Sequence, residues 1–293
     1  MTPDGPRESD ETPVVSVVIA HPRADAVLER TIAAHRAELG ALDELLVVLG
    51  EGENEGALTP ELWRQGLAGA RGVFVRLTIG SFVPEPGWRA ALLSAHAGGA
   101  DAVGGAMLPG DRLRARDWAI FFQRYRNYRP PFELRSVSDV PGDHASYRRS
   151  VLEETADLWR AAFWERDVNR ELHRRGRSLV MEPRFRARYE GRESARLHIA
   201  HRFRHGIQFG RERLRGAGAD RRLLFALAFL LPGAVFLLRI ARESLSRPGS
   251  LAPFLRALPW LLAFVGAWSF GEWIGALRGP PEEPAGVPHP SAR

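Results

Sequence analysis

The chain has 293 residues, 45% of them hydrophobic, with 41 basic against 35 acidic side chains and a formal charge of +6. It contains neither cysteine nor lysine, which excludes disulfide frameworks, Cys-ligated zinc or iron–sulfur sites, cysteine nucleophiles, P-loop phosphate binding, Schiff-base catalysis and Ser–Lys nucleophile pairs. Because every basic residue is an arginine, a single Arg marks basic surface before it marks an anion clamp.

The opening segment, residues 1–12, is polar and acidic and reads as disordered. It has neither the basic nor the apolar region of a secretory signal, which predicts a folded part that stays in the cytoplasm. Val14 to Ala20 is an unbroken β-branched run, the pattern of a strand buried on both faces. A helix is expected from Ala24 to Leu39, and Leu45 to Leu49 reads as a second buried strand followed by a Gly- and Glu-rich loop. Thr59-Pro60 looks like an N-cap and N1 pair opening a helix through Ala70. Gly72 to Leu77 is a third strand, a helix runs from Trp88 to about His96, and Ala102 to Met107 is a fourth strand. This alternation predicts a doubly wound α/β domain, whose ligands sit where the strands end. No GxGxxG or GxxxxGK[ST] follows the first strand, so the standard dinucleotide and P-loop readings fail.

Charge is unevenly distributed. Residues 1–100 hold 8 Arg against 14 Asp and Glu, leaving 33 Arg against 21 acids in the remainder. Two apolar runs follow in the basic part. Leu223 to Leu238 is interrupted by Pro232-Gly233, and Ala257 to Leu277 has Glu272 as its only charge. Both are membrane candidates, with buried helices of a soluble domain as the alternative. Arg202, Arg204, Arg211, Arg213, Arg215, Arg221 and Arg222 upstream favour a cytoplasmic start. The intervening Arg239, Arg242, Arg247 and Arg256 leave a spanning hairpin and an in-plane amphipathic pair equally open. The Pro-rich tail, 279–293, is expected to be disordered.

The segments VVSVVIAHPRADAVLERTIAAH, ELLVVLGEGEN, RQGLAGARGVFVRLTIGSFVPEPGWRAALLSAH and ADAVGGAM, in this order, resemble family 2 nucleotide-sugar glycosyltransferases of the GT-A fold. VPGDHASYRRSVL is similar to that family's acceptor-side segment, and FWERDVNRELHRRGRSLVMEP to its Glu-bearing helix and following strand. The resemblance implies a GT-A-like α/β domain with a mainly parallel sheet over residues 13–215, and a membrane-associated helical pair over 216–278. It further implies a nucleotide-sugar donor, a lipid-linked or small-molecule acceptor, and a location on the cytoplasmic face of the cell membrane. Mg²⁺ or Mn²⁺ is the family's expected cofactor, because a departing nucleoside diphosphate develops negative charge that a hard cation neutralises.

The family's carboxylate signatures are nevertheless absent from this chain. Leu49-Gly50 stands after the second strand and Thr78-Ile79-Gly80-Ser81 after the third, so no metal ligand is assigned. Glu51, Glu53 or Glu55 can replace the first carboxylate or belong to a solvated loop. Thr78 and Ser81 offer hydroxyls on the donor side, where Arg148 and Arg149 are candidates to offset the diphosphate charge, or else form a solvated basic helix end. Glu165 matches the family's catalytic base and equally reads as a helix-start carboxylate. Asp143 accompanies it, and His144, Tyr147 and Trp164 complete the acceptor side. Two functional classes stay open at this level: a glycosyltransferase with an atypical donor site, and a catalytically inactive relative acting as scaffold or regulator of a partner enzyme.

Two further patterns carry less. His198, His201 and His205 share a helical face, but Arg202 stands where a zinc protease has its Glu, so a basic helix beneath a membrane is the preferred reading. Phe121 to Phe132 interleaves aromatics with arginines, as single-stranded nucleic-acid sites do. No nucleic-acid partner is expected, since in the family-like reading this stretch borders the acceptor cleft.

Overall fold

The computed structural model describes residues 12–191, 193–213, 218, 220 and 230–278. It divides into two compact units, one formed by the chain up to residue 112 together with 127–191, the other by 113–126 together with the chain from 192 onward. The expected disordered segments 1–12 and 279–293 lie almost wholly outside the described residues.

In the first unit β1 (Val15–His21) is buried along its whole length, as a central strand covered on both faces must be. Asp25 caps α1 (Ala26–Arg36), its carboxylate accepting from the amides of Val27 and Leu28, both at 2.9 Å. Then come β2 (Glu44–Leu49) and α2 (Thr59–Gly69). The N-cap of α2 is Leu58, one residue before the expected Thr59, and the Glu61 carboxylate accepts from the Leu58 amide at 2.6 Å. β3 (Phe74–Ile79), β4 (Phe82–Pro84), α3 (Trp88–Ala97) and β5 (Ala102–Pro109) follow; α4 (Ala115–Arg124) belongs to the second unit. The first unit closes with β6 (Arg135–Ser136), β7 (His144–Arg148), α5 (Arg149–Glu154), α6 (Glu165–Arg174) and β8 (Leu179–Tyr189).

The strands form one sheet in the order β2-β1-β3-β7-β5-β8-β4, with β6 paired to β8. β2, β1, β3, β5 and β8 run in one direction, and β7, β4 and β6 run against them. The result is a mixed α/β fold with a mainly parallel sheet. Strand alternation distributes β1 between two cores. Val18 and Ala20 pack with Leu62, Trp63 and Leu67 of α2, whereas Val15, Val17 and Ile19 pack with Leu28 of α1 and Trp88 and Leu92 of α3.

The second unit is helical: α4, α7 (Ala195–Arg213), α8 (Leu230–Leu245) and α9 (Leu251–Arg278). Phe121, Phe122 and Tyr125 are buried, and Phe122 meets Phe254 of α9 at 5.6 Å between ring centroids. The aromatic half of the Phe121 to Phe132 pattern is therefore core, not a stacking platform. Helices α7 and α9 touch backbone to backbone. A Cβ at Gly206 would collide with the carbonyl of Trp268, at Gly210 with that of Glu272, at Gly271 with that of Phe203, and at Gly275 with that of Ile207. This seam moves the expected boundary at 215 back to 191, because α7 packs with the C-terminal helices. Residues 223–229 of the first apolar run lie outside the described residues; its remainder opens α8, and the second run lies within α9.

Candidate active site

The site begins with the parallel register. His21 pairs with Leu49 and Ala20 with Ile79, so β1, β2 and β3 end at one level. The chain continuations stay tied there, the Gly50 amide donating to the His21 carbonyl at 2.9 Å and the Gly80 amide to the Ala20 carbonyl at 3.1 Å. One edge of the sheet thus carries His21, Glu51 and the Thr78–Ser81 segment. β7 enters antiparallel at the same level, with His144 opposite Thr78, which brings Gly142 and Asp143 to the edge. The Thr78 hydroxyl donates to the Asp143 carbonyl at 3.1 Å and fixes that approach.

Glu165 reaches this edge from another direction, as the first residue of α6. A Cβ at Gly142 would lie 2.9 Å from Glu165 Cβ and 3.0 Å from its Cγ, so the side chain lies directly over the glycine that precedes Asp143. Val168 and Leu172 are fully buried and hold α6 in that orientation. Trp164, just before the helix, remains 39% exposed. The fold therefore gathers Asp143, Glu165, Thr78, Ser81 and Glu51 at the strand ends, from segments up to 114 residues apart in the sequence.

Four sequence candidates behave differently. Because β7 runs antiparallel to β3, each residue beyond Asp143 leads away from the edge, and Arg148 pairs with Phe74 at the start of β3. Five residues of strand separate that position from Ile79, roughly 16 Å. There the Arg148 guanidinium donates to the His96 carbonyl at 3.0 Å, and Arg149 pairs with Glu153 at 2.8 Å and also reaches the Ala70 carbonyl. Neither arginine is placed to meet a diphosphate at the strand ends. His144 and Tyr147 are fully buried. His144 lies between the rings of Phe82 and Phe185, with Nε2 against the Phe185 carbonyl at 3.1 Å and Nδ1 against Arg76 at 3.3 Å. Since a carbonyl only accepts, Nε2 carries the proton and Nδ1 accepts from Arg76. Burial, then the Arg76 charge, pushes His144 well below the usual histidine range.

Tyr147 acts through a network instead. Its hydroxyl donates to Asn169 Oδ1 at 3.0 Å, and Asn169 Nδ2 donates to Asp139 at 2.5 Å and to the Val140 carbonyl at 2.8 Å. Asn169 lies one turn after Glu165 on α6, so the network ties the loop leading into Gly142 to the helix bearing Glu165. Burial, then the negative charges of Glu165 and Asp139, raises the Tyr147 hydroxyl well above its ordinary value and keeps it a donor. Partial burial likewise raises the Asp139 carboxyl, with Asn169 opposing.

Sequence reasoning missed His21, Arg23 and Asn169. His21 ends β1 with its ring under Gly80, where a Cβ would come within 2.5 Å of Nδ1. Burial lowers its pKa, Asp25 opposes that at 3.5 Å, and the charges of Arg23 and Glu51 both act on it. Arg23 is thus the basic side chain that the loop after β1 supplies near this edge. The detectable signal was a histidine and an arginine directly after the first buried run. Beside the edge, a cleft of about 670 Å³ runs along β2 and α2, lined by Leu49, Glu51, Gly52, Asn54, Gln65 and Gly66 among others.

The donor set does not fit a divalent cation. Among the described residues no three His, Asp or Glu side chains converge on one point, and the Thr78 hydroxyl is engaged by a carbonyl.

No protein-family model and no curated protein matches the chain. Solved structures do. A crystal structure of GalNAc-T7 with UDP, GalNAc and Mn2+ aligns at 13% identity over 62% of this chain, with a TM-score of 0.44, and this chain spans 44% of that one. The mannosyltransferase PcManGT from Pyrobaculum calidifontis, in complex with GDP-Man and Mn2+, aligns at 12% identity over 92% of this chain and 75% of its own, with a TM-score of 0.46.

Proposed function

We propose that the α/β unit is a nucleotide-sugar glycosyltransferase that works without a bound divalent metal. The observation carrying this reading is Glu165 seated over Gly142, beside Asp143, at the edge where three parallel strands end. In the reaction an acceptor hydroxyl oxygen attacks the anomeric carbon, the bond from that carbon to the diphosphate oxygen breaks, and the hydroxyl proton passes to Glu165. The negative charge leaves on the nucleoside diphosphate. Its base and ribose would occupy the cleft beside Glu51, and Arg23, with Ser81, would face the diphosphate. Asp143 and Trp164 border the acceptor, the indole offering an apolar face to a sugar ring.

Lipid-linked or small-molecule hydroxyl compounds are the acceptors we favour, with the helical unit at the cytoplasmic face of a membrane. Support for the membrane assignment comes from α9, whose most apolar 18-residue window has mean hydropathy 1.4 and is only 28% buried.

Calorimetric titration with UDP and GDP, each with and without Mn²⁺, tests the donor site. Binding of one nucleotide, unchanged by the metal, is expected; binding of neither overturns the proposal. Glu165→Gln should keep that binding and abolish sugar transfer, and transfer at the unsubstituted rate would remove Glu165 from the mechanism.

A further inference from the structure

By length and composition α9 reads as a membrane span, since 28 residues extend about 42 Å against roughly 30 Å of hydrocarbon. Its packing partner argues otherwise. Helices α7 and α9 run parallel, for Phe203 faces Gly271 and Ile207 faces Gly275, while Gly206 faces Trp268 and Gly210 faces Glu272. His198 meets Phe264 further back along both helices. Any stretch of about 20 residues of α9 laid across a bilayer includes Phe264 to Phe270. The glycine seam would then carry the level part of α7 to the same depth, with His201, Arg202, Arg204 and His205. Arg204 and His205 are exposed. Arginine on a lipid-facing helix surface near the bilayer centre is strongly disfavoured.

The exposed side of α9 has the opposite character. Leu251, Leu255, Leu262, Phe270 and Leu277 are each about half exposed or more, at intervals that keep them on one stripe. Gly266, on the same stripe, has nothing within 4 Å of a Cβ position. Arg256 borders the stripe on α9, and α8 adds exposed Leu231, Val235 and Leu238 beside exposed Arg239 and Arg242. An apolar stripe flanked by arginines, on a helix whose other side is held by a basic helix, matches an anionic bilayer surface.

We infer that α9 lies in the plane of an anionic membrane, its Leu251–Leu277 stripe in the headgroup and acyl boundary and α7 on the water side, and that it does not cross the bilayer. The inference rests on the membrane association proposed above and is independent of sugar transfer.

Because the chain has no native cysteine, single-cysteine variants of the full chain carry one probe each. Leu251→Cys, Leu262→Cys, Leu277→Cys and Arg204→Cys would be labelled with nitrobenzoxadiazole and added to phosphatidylcholine vesicles with or without phosphatidylglycerol. The expected result is roughly tenfold tighter binding to the anionic vesicles. The three α9 probes should be blue-shifted, at similar shallow depth, and bleached by external dithionite, whereas the Arg204 probe keeps a water-like spectrum. Protection of the Leu251 or Leu277 probe from dithionite in intact vesicles, or a deeply buried Leu262 probe, would overturn the in-plane placement while leaving membrane association standing. Absence of binding to either vesicle would overturn both, with nucleotide binding still reporting on the donor site.

Discussion

Replacing Tyr147 by Phe isolates one buried hydrogen bond at the junction between the Gly142 loop and α6. Both partners are fully buried, and the ring itself packs on Phe163 at 5.7 Å between centroids, a contact the substitution preserves. What is lost is the donor to Asn169 Oδ1 at 3.0 Å. The acceptor left behind cannot turn to water, since Asn169 Nδ2 is held by Asp139 and the Val140 carbonyl. A stranded buried acceptor costs about 1–3 kcal/mol. In a unit of this size each kcal/mol moves the melting temperature by about 2–4 °C, so a fall of roughly 6 °C is expected. Urea unfolding followed by tryptophan fluorescence, with the m-value checked for a second transition from the helical unit, measures the loss. Asn169→Leu alone should cost more, because it also strands Asp139 and Val140, and the double variant should cost less than the sum by about 1 kcal/mol. A Tyr147→Phe midpoint indistinguishable from the unsubstituted chain, or strict additivity with Asn169→Leu, would mean that this network does not hold the loop to the helix.

Acid should weaken the α/β unit over a defined window. Burial lowers His96 to about 4; the unfolded chain binds a proton near pH 6.5, so the native state takes up fewer protons between those values and stability rises with pH across them. The contribution is complete above pH 6.5 and lost by about pH 4, and His96→Gln should lessen, without abolishing, the pH dependence of the unfolding midpoint in that interval, since buried His21, His35 and His144 are lowered in the same sense. Arg76 is fully buried, stacked 4.6 Å from the ring centroids of both Trp88 and Phe185, with Nε and Nη1 lacking partners among the described residues. Burial lowers its guanidinium to about 9. Arg76→Met relieves that buried charge but strands the His144 Nδ1 acceptor, so it should be near neutral in thermal unfolding, and a loss of several kcal/mol would mean that more than this one bond holds the guanidinium. Gly210→Ala and Gly275→Ala each set a methyl against a backbone carbonyl that cannot rotate away, so each should destabilise the helical unit by about 3 kcal/mol, visible as faster amide exchange in both α7 and α9; unchanged exchange would deny the seam.

The elements that a sequence exposes are those whose neighbours are dictated locally. β1 was visible because a strand covered by helices on both sides becomes an unbroken apolar run; β2 shows the same run but is an edge strand, only partly buried and with Val47 exposed, so the expectation of a second buried strand fails. β3 was placed two residues early. A Cβ at Gly72 would come within 2.5 Å of the Ser16 backbone nitrogen, and Gly72 precedes the strand, whereas Thr78 and Ile79 still pair with β1 and extend it. The direction of β7 was invisible, and that single unknown decides the fate of the His144 to Arg149 motif. Had β7 run parallel to β3, Arg148 and Arg149 would approach the site; running antiparallel, it delivers Asp143 to the edge and carries the arginines to the far side. Glu165 kept its place because it starts a helix whose buried Val168 and Leu172 are readable at a spacing of four.

The helical unit shows the converse, a local signal masked by composition. Gly206 and Gly210 are four apart, as are Gly271 and Gly275, the spacing that lets two helices approach closely. In α7 this pair is surrounded by arginines and histidines, so charge dominates the reading and the segment looks like a surface helix attached to the α/β unit. Yet the same charges give the seam its consequence. A glycine interface between two apolar helices would suit the interior of a bilayer, but here it joins a helix bearing Arg202 and Arg204, and that pairing is the ground on which we infer an in-plane placement. Under that inference the depth of α9 would be set by its partner helix, which the hydropathy of α9 alone does not report.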